Sequence, residues 1–577
     1  MGLLLIRTVN ISDCLFHKDD PLAALIPGRL VSPHLDDYVD ITKAWIRKCL
    51  THPACTKHAP KNRLPKRVID VGSADDTIHP FLHESHEEIG NWVTLSHRWG
   101  KVYPITLTLE TLDERRNKIP MISLPPLFRD AVIITRSLGY RYLWIDSLCI
   151  IQDSKQDWIS EAAKMGYIYK HSSLTIAAET SQDCLEGVFA SSNRRWPNLK
   201  DAFALPCYSS TKKIQGIVYP KLDSEAPTRR DFLGSRAWTL QEDILSPRTI
   251  IWTSRGLKWQ CRSTDYDEGI QLGGSLQISN YYNWKHNNWK RICLPRELFA
   301  QDLPDASKDN TSQAMEIWYN ILQNFVRRNI TNHADRLPAL SGVAREIARL
   351  TGYRYLAGLW SEDICAGLLW SISGKAERFE NIPEPSWSWA SIELRSSDQA
   401  ARFTPCHSRL PIIWASVLGI NIPSVGDDPF GQVQSARLHL RGPCRYASEL
   451  RRWLRENGYP PDVSRFIELQ LDCTSDVEMI QHRDVMFLQV ASSEENSLAA
   501  SRPTMMAPMQ LPFVEANVNT PPKLRGNPVV EGNMVRYALV LKPTGMANLE
   551  FKRIGISTIP HFMARTTEWR TESIAIV

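Results

Sequence analysis

Three short runs of apolar and β-branched residues, WVTLSH (92–97), RYLWID (141–146) and SLTIAA (173–178), alternate with two stretches of helical periodicity. Nothing else in the chain narrows its fold so far. Strand, helix, strand, helix, strand at these lengths needs crossover connections, and crossovers set the strands parallel and side by side. The first helical stretch, LPPLFRDAVIITRSLG, opens on Pro125-Pro126, suited to a first turn, and closes at Gly139, suited to a helix end. The second runs over residues 155–171.

On the wheel of that second helix Trp158, Glu161, Ala162, Met165, Ile168 and Tyr169 share one face, while Ser160, Lys164 and Tyr167 point away. Glu161 is therefore a carboxylate on an apolar seam, which needs a partner or else a raised pKa. An arginine partner or a loop cap would make it structural; a place beside a cleft would make it functional. Parallel sheets bind ligands beyond the carboxyl ends of their strands. Those ends carry Ser96, His97, Arg98, Trp99 and Gly100 after the first strand, Asp146, Cys149, Gln152 and Asp153 after the second, and Glu179 after the third. Each has a plain alternative. His97 suits a core imidazole bonded to backbone, Asp146 a turn cap, and Cys149 an inert buried thiol with no adjacent cation to activate it. It is their convergence on one sheet edge that makes a candidate site.

A chain of 577 residues is too long for one ordinary core. Four segments are expected: an irregular N-terminal extension (1–90), in which RLPKRVIDVG reads as an edge strand; the α/β segment (91–262), ending in a hairpin around Ser254-Arg255-Gly256; a helical region (263–384); and a β-rich region (385–577) with a polar loop over 492–532. The net charge of +5 comes without a long basic block, so nucleic-acid binding is not expected. No stretch reaches transmembrane length, and MGLLLIRTV has too few apolar residues for a signal peptide. Twelve cysteines include no CxxC, and Cys49 and Cys55 lack a second ligand pair at zinc-finger spacing. Reduced thiols in a cytoplasmic protein, and no metal site, are the expectation. No G-x-G-x-x-G follows the first strand, which disfavours redox dinucleotide binding.

WVTLSHRWGK, the stretch from LPPLF to SLTIAA, and GSRAWTLQEDILSPRTIIW resemble, in order and spacing, the three motif blocks of the fungal heterokaryon-incompatibility (HET) domain. That resemblance implies a role in non-self recognition, in which fusion of unlike cells triggers growth arrest and programmed cell death. It also draws Trp238, Gln241 and Glu242 into the motif set. DRLPALSGVAREIA, YLAGLW and PSWSWAS resemble the region that follows this domain in long family members.

A second resemblance is to the Toll/interleukin receptor (TIR) fold, a flavodoxin-like parallel sheet with flanking helices. TIR enzymes that cleave NAD use a glutamate spaced W-x-x-x-E; here Trp158 and Glu161 form W-x-x-E, one residue shorter. The resemblance implies Glu161 as the catalytic candidate, with Glu179 and Glu186 as competitors, and NAD as a substrate rather than a bound cofactor. Trp99 would stack on a ring and Arg98 would pair with pyrophosphate. The alternatives are a non-enzymatic module that acts through protein partners or self-association, and a regulator of another fungal pathway.

Overall fold

In the computed structural model of the protein, residues 14–17, 29–31, 35–56, 62–73, 79–100, 105–189, 205–209, 214–220, 232–253, 256–267, 309–379, 382–394, 402–404, 412–463, 466–473, 485–494, 534–547, 549–560, 563–564 and 568–577 are described. They fall into two compact units, Met1–Ile321 with Arg328–Gly352, and Leu322–Arg327 with Tyr353–Val577.

The first unit is built on a mixed sheet. Among its elements are α1 (Leu35–Cys49), α2 (Pro53–Thr56), β1 (Arg67–Asp70), β2 (Phe81–Glu84), β3 (Trp92–Ser96), α3 (Pro126–Ser137), β4 (Tyr142–Trp144), α4 (Asp146–Cys149), α5 (Lys155–Ala162), α6 (Met165–Lys170), β5 (Leu174–Ala177), α7 (Trp238–Leu245), β6 (Arg248–Thr253), β7 (Gly256–Cys261), β8 (Asp265–Asp267), α8 (Asp309–Phe325), whose last four residues count with the second unit, and α9 (Pro338–Thr351). The eight strands lie in the order β8-β7-β6-β5-β3-β4-β1-β2. β3 pairs in parallel with β4 on one side and β5 on the other, and β6 pairs in parallel with β5. In chain order, the four parallel strands therefore stand 2-1-3-4, the order in which a flavodoxin-like doubly wound sheet begins. Its switch point lies between β3 and β5.

Side-chain alternation assigns the two faces. Trp92, Thr94 and Ser96 share one face of β3: the Trp92 indole donates to Ile168 O of α6 at 3.1 Å, and Ser96 reaches Glu242 of α7. His97 continues the opposite face and meets the Phe128 ring of α3 edge-on at 5.0 Å. Pro125 and Pro126 open α3, and Gly139 follows it with a left-handed φ of 83°, as the sequence spacing predicts.

Several expectations need correction. The strand at 67–70 is not an edge: it pairs antiparallel with both β2 and β4, and β2 forms the edge. Residues 67–70 and 81–84, read as part of an extension, thus belong to the sheet. The hairpin expected to end the α/β segment adds its first strand to the sheet, where β6 is the fourth parallel strand; Ser254 and Arg255 lie outside the described residues. The single helix expected over 155–171 is two. At the break Lys164 N bonds Glu161 O, an i−3 contact that tightens the turn. The break lets Gly166 approach α9, where an added Cβ would stand 2.6 Å from the Gly342 Cα.

The second unit contains short strands at 355–356, 359–360 and 371–373, where helix was expected, and then a large, mainly antiparallel sheet with Arg437–Tyr446, Met486–Glu494, Met534–Pro543, Glu550–Ile559 and Arg570–Ile576, the last two pairing in parallel. Within this β-rich region the helix Ala447–Glu456 buries Leu450 and Leu454 in one cluster with Phe487, Val540 and Ile554. Trp387 and Trp389 are fully buried, and the Trp389 indole donates to Gly358 O at 2.9 Å. The polar loop expected at 492–532 lies almost wholly outside the described residues, after the strand ending at Glu494.

Candidate functional site

Beyond the carboxyl end of β3, at the switch point, a small polar cluster is sealed into the first unit. The Ser96 hydroxyl donates to Glu242 Oε2 at 2.5 Å, joining the first motif to the third. Both residues are buried. Burial pushes the Glu242 carboxyl up to about 7, the Asp146 charge adds to this, and the Ser96 and Tyr169 hydrogen bonds and the Arg236 charge pull the other way. Glu242 thus changes protonation near neutrality, which places it among groups able to take or give a proton. Below it a hydroxyl ladder crosses the sheet: Ser246 Oγ donates to Glu242 O at 2.6 Å, Thr175 and Ser246 hydroxyls meet at 2.6 Å, and Thr94 and Thr175 at 2.7 Å.

On the other side of Ser96 lies His97, buried, with Nδ1 3.8 Å from Asp146 Oδ1 and with no hydrogen-bond partner for Nε2 among the described residues. Burial holds its pKa below that of free imidazole, outweighing the opposite pull of Asp146. It is a neutral ring at physiological pH. Asp146 receives the Trp99 indole N–H at 2.8 Å and the Ser147 amide at 2.7 Å. Arg98 and Trp99 are half-buried and form the rim, with the Arg98 guanidinium 5.9 Å from the Phe232 ring centre. Arg236 Nη1 donates to His97 O at 3.5 Å.

The remaining motif residues serve the backbone. Gln152 Nε2 donates to Asp146 O at 3.2 Å and Ile150 O at 3.1 Å, closing the turn after β4. Asp153 is exposed, and its carboxylate receives Leu109 N at 3.0 Å. Gln241 is buried, with Oε1 accepting from Gly342 N at 2.7 Å. Trp238 is half-buried and meets the Trp158 ring edge-on at 6.4 Å. Glu179 O accepts from Phe232 N at 3.1 Å. Burial pushes the Cys149 thiol up to about 12, so it is no nucleophile. Gly100 has a φ of 76°, and a Cβ there would stand 2.2 Å from the Asp183 Cβ, so the motif glycine answers a close approach.

Glu161 is 1% exposed, and the partner on its Oε1 is Lys164 Nζ at 2.9 Å. The long lysine stem turns back from a half-exposed position that the helical wheel assigned to solvent. Among the described residues Glu161 makes no hydrogen bond to Ser96, His97 or Glu242, and its bond runs to Lys164 instead. Because Lys164 is 51% exposed, the pair is screened. Glu161→Gln is expected to cost no more than about 1 kcal/mol in a urea melt. A cost of several kcal/mol would show that the carboxylate is anchored by more than the screened lysine.

Three contributors had no sequence signal. Tyr169, expected only as core, donates its hydroxyl to Leu95 O at 3.2 Å and also bonds Glu242. Arg328, far along the chain, donates to Arg236 O at 3.2 Å and feels the charges of Asp243, Glu242 and Glu179. Asp157 sits buried between Lys66 and Arg67. Among the described residues no helix is long and apolar enough to cross a membrane.

Residues 92–242 match the family model described as Heterokaryon incompatibility protein (HET). No curated protein and no solved structure matches the chain.

Proposed function

From the HET domain that this chain carries at residues 92–242, we propose that the protein acts in fungal non-self recognition, triggering growth arrest and cell death when unlike cells fuse. In this reading the polar cluster at the strand ends is its working centre, in a TIR-like arrangement, and the reaction is hydrolysis of the nicotinamide–ribose bond of NAD. The observation that carries the reading is the Ser96–Glu242 hydrogen bond, which sets a carboxylate with a pKa of about 7 at the switch point of the parallel strands.

The chemistry suits one carboxylate. The C–N bond breaks with its electron pair going to nicotinamide, positive charge builds on the ribose, and an ionised Glu242 stabilises it. Water then adds to the same carbon and loses a proton, leaving ADP-ribose. Ser96 and Tyr169 orient the carboxylate. Arg98 at the rim faces the pyrophosphate, and Trp99 offers its ring to a base once the indole leaves Asp146. Glu161 in this account holds its helix to Lys164 and does no chemistry.

A second reading is favoured by the hydroxyl ladder, which pairs the cluster's groups with one another across the sheet. There the cluster is a latch inside a non-enzymatic module that signals by self-association or through a protein partner. One experiment separates the two. Purified full-length protein at high concentration with a crowding agent is incubated with NAD, and nicotinamide is measured. Release by the native chain and at least a hundredfold less by Glu242→Gln supports cleavage. A native chain that releases none but still kills on overexpression rules cleavage out and leaves the latch.

A further inference from the structure

The end of α1, the turn after it and the short helix α2 bring Cys49, His52 and Cys55 against Cys261, the last residue of β7. The three Sγ atoms and one imidazole nitrogen all lie within 4.8 Å of one another. His52 Nδ1 stands 3.7 Å from Cys261 Sγ and 4.0 Å from Cys55 Sγ. Tetrahedral zinc, with bonds of about 2.3 Å to sulfur and 2.0–2.1 Å to nitrogen, separates neighbouring ligand atoms by about 3.6–3.8 Å. All three cysteines are buried, and His52 is half-buried.

Buried thiols are common as small apolar groups, and three of them could share a core with no further purpose. Two features go beyond that. An imidazole nitrogen points into the sulfurs, where an apolar cluster would exclude it. Donors also surround the sulfurs: Arg248 Nε lies 3.3 Å from Cys49 Sγ, Thr264 N 3.3 Å from Cys261 Sγ, and Ser263 Oγ 3.6 Å from Cys55 Sγ. N–H donors aimed at sulfur are the outer shell that metal thiolates require.

We propose that Cys49, His52, Cys55 and Cys261 bind one zinc ion in a closed Cys3His site that staples α1 and α2 to the β6–β7 hairpin. Three thiolates and an imidazole with no open position make a structural site rather than a catalytic one. Its place in the fold agrees. Tyr38 meets Trp252 at 4.9 Å and Trp45 meets Trp259 at 6.2 Å, so the same face of α1 already lies along this hairpin. The ligands all stand outside residues 92–242, on both flanks of the family segment. Zinc would close those flanks on each other beside the β6 edge of the parallel strands.

The test uses the full chain purified without chelator. Zinc by atomic emission is expected at one equivalent, and Cys261→Ser is expected to hold less than a tenth of that, while Cys365→Ser, a cysteine of the other unit, keeps it. Cobalt added to the stripped native chain should give the thiolate charge-transfer band and the intense visible bands of tetrahedral sulfur coordination. This arm stands even where the Cys261 variant fails to fold. Stripping the metal should lower the melting temperature by at least about 5 °C. A native chain without zinc and without the cobalt spectrum overturns the proposal. So does a Cys261→Ser chain that retains a full equivalent, or a disulfide joining Cys49 to Cys55 or Cys261.

Discussion

Asp157→Asn is expected to remove on the order of 3–5 kcal/mol of stability, because it leaves a buried guanidinium without its counter-charge. Arg67 is 1% exposed, and it binds Asp157 and Cys149 O. Asp157 also takes Lys66 Nζ at 2.9 Å and Ile151 N at 2.9 Å. These bonds tie the start of α5 to β1 and to the turn that carries Gln152. Burial pushes the Asp157 carboxyl up, but the Ile151 amide, Lys66 and Arg67 together hold it below its ordinary value. A depressed pKa means that the pair's contribution is complete above the unfolded-state value and fades as pH falls through the folded one. The native chain should therefore lose stability faster than Asp157→Asn on acidification below about pH 4. The double change Arg67→Met with Asp157→Leu should recover most of the loss, since it buries no unpaired charge. Denaturant unfolding at neutral and acid pH decides the matter; a single-variant cost under 1 kcal/mol would show that the pair is not the anchor described.

Glu242→Gln should change the opposite end of the pH scale. A carboxyl raised to about 7 stays protonated in the folded chain while its unfolded counterpart ionises near its ordinary value. Stability then falls as pH rises between those two values, by up to about 1.4 kcal/mol per pH unit, and is level above the folded value. Glutamine keeps the neutral form's hydrogen bonds and has no proton to lose. The variant is expected to lie within about 1 kcal/mol of the native chain at pH 5 and on the order of 2–3 kcal/mol above it at pH 8. Parallel melting curves for the two chains would sink this account of Glu242 as a buried group that titrates near neutrality.

The two carboxylates show how far residue pattern reaches. Glu161 was conspicuous because a charge interrupted an apolar seam, and the seam is real: Ala162, Met165, Ile168 and Tyr169 are all buried. What the wheel could not express is that Lys164 is long enough to double back, so a position assigned to solvent supplies the partner. Glu242 stood out only through its motif block, for within TLQED it reads as one acid beside another. Its importance arises from Ser96, 146 positions away in sequence.

Local physics accounts for what was legible. Runs such as WVTLS and LTIA must be buried on both faces, so they read as parallel strands, and the prolines and Gly139 bound the helix between them. Short-range pattern also placed Ser96, His97 and Asp146 at strand ends, because a strand's end is a property of the strand. Closure of the sheet was decided elsewhere. That β1 sits inside it, that β6 becomes the fourth parallel strand, and that Cys49, His52 and Cys55 meet Cys261, which stands 206 positions beyond Cys55, depend on how edges far apart in the chain pair with one another. Sequence alone determined the elements and the edge where polar groups gather, since those follow from neighbours a few residues apart. Only the tertiary structure decided which carboxylate is paired to solvent-facing lysine and which is sealed against a serine, because burial and charge at a point are sums over residues that the chain brings together from far apart.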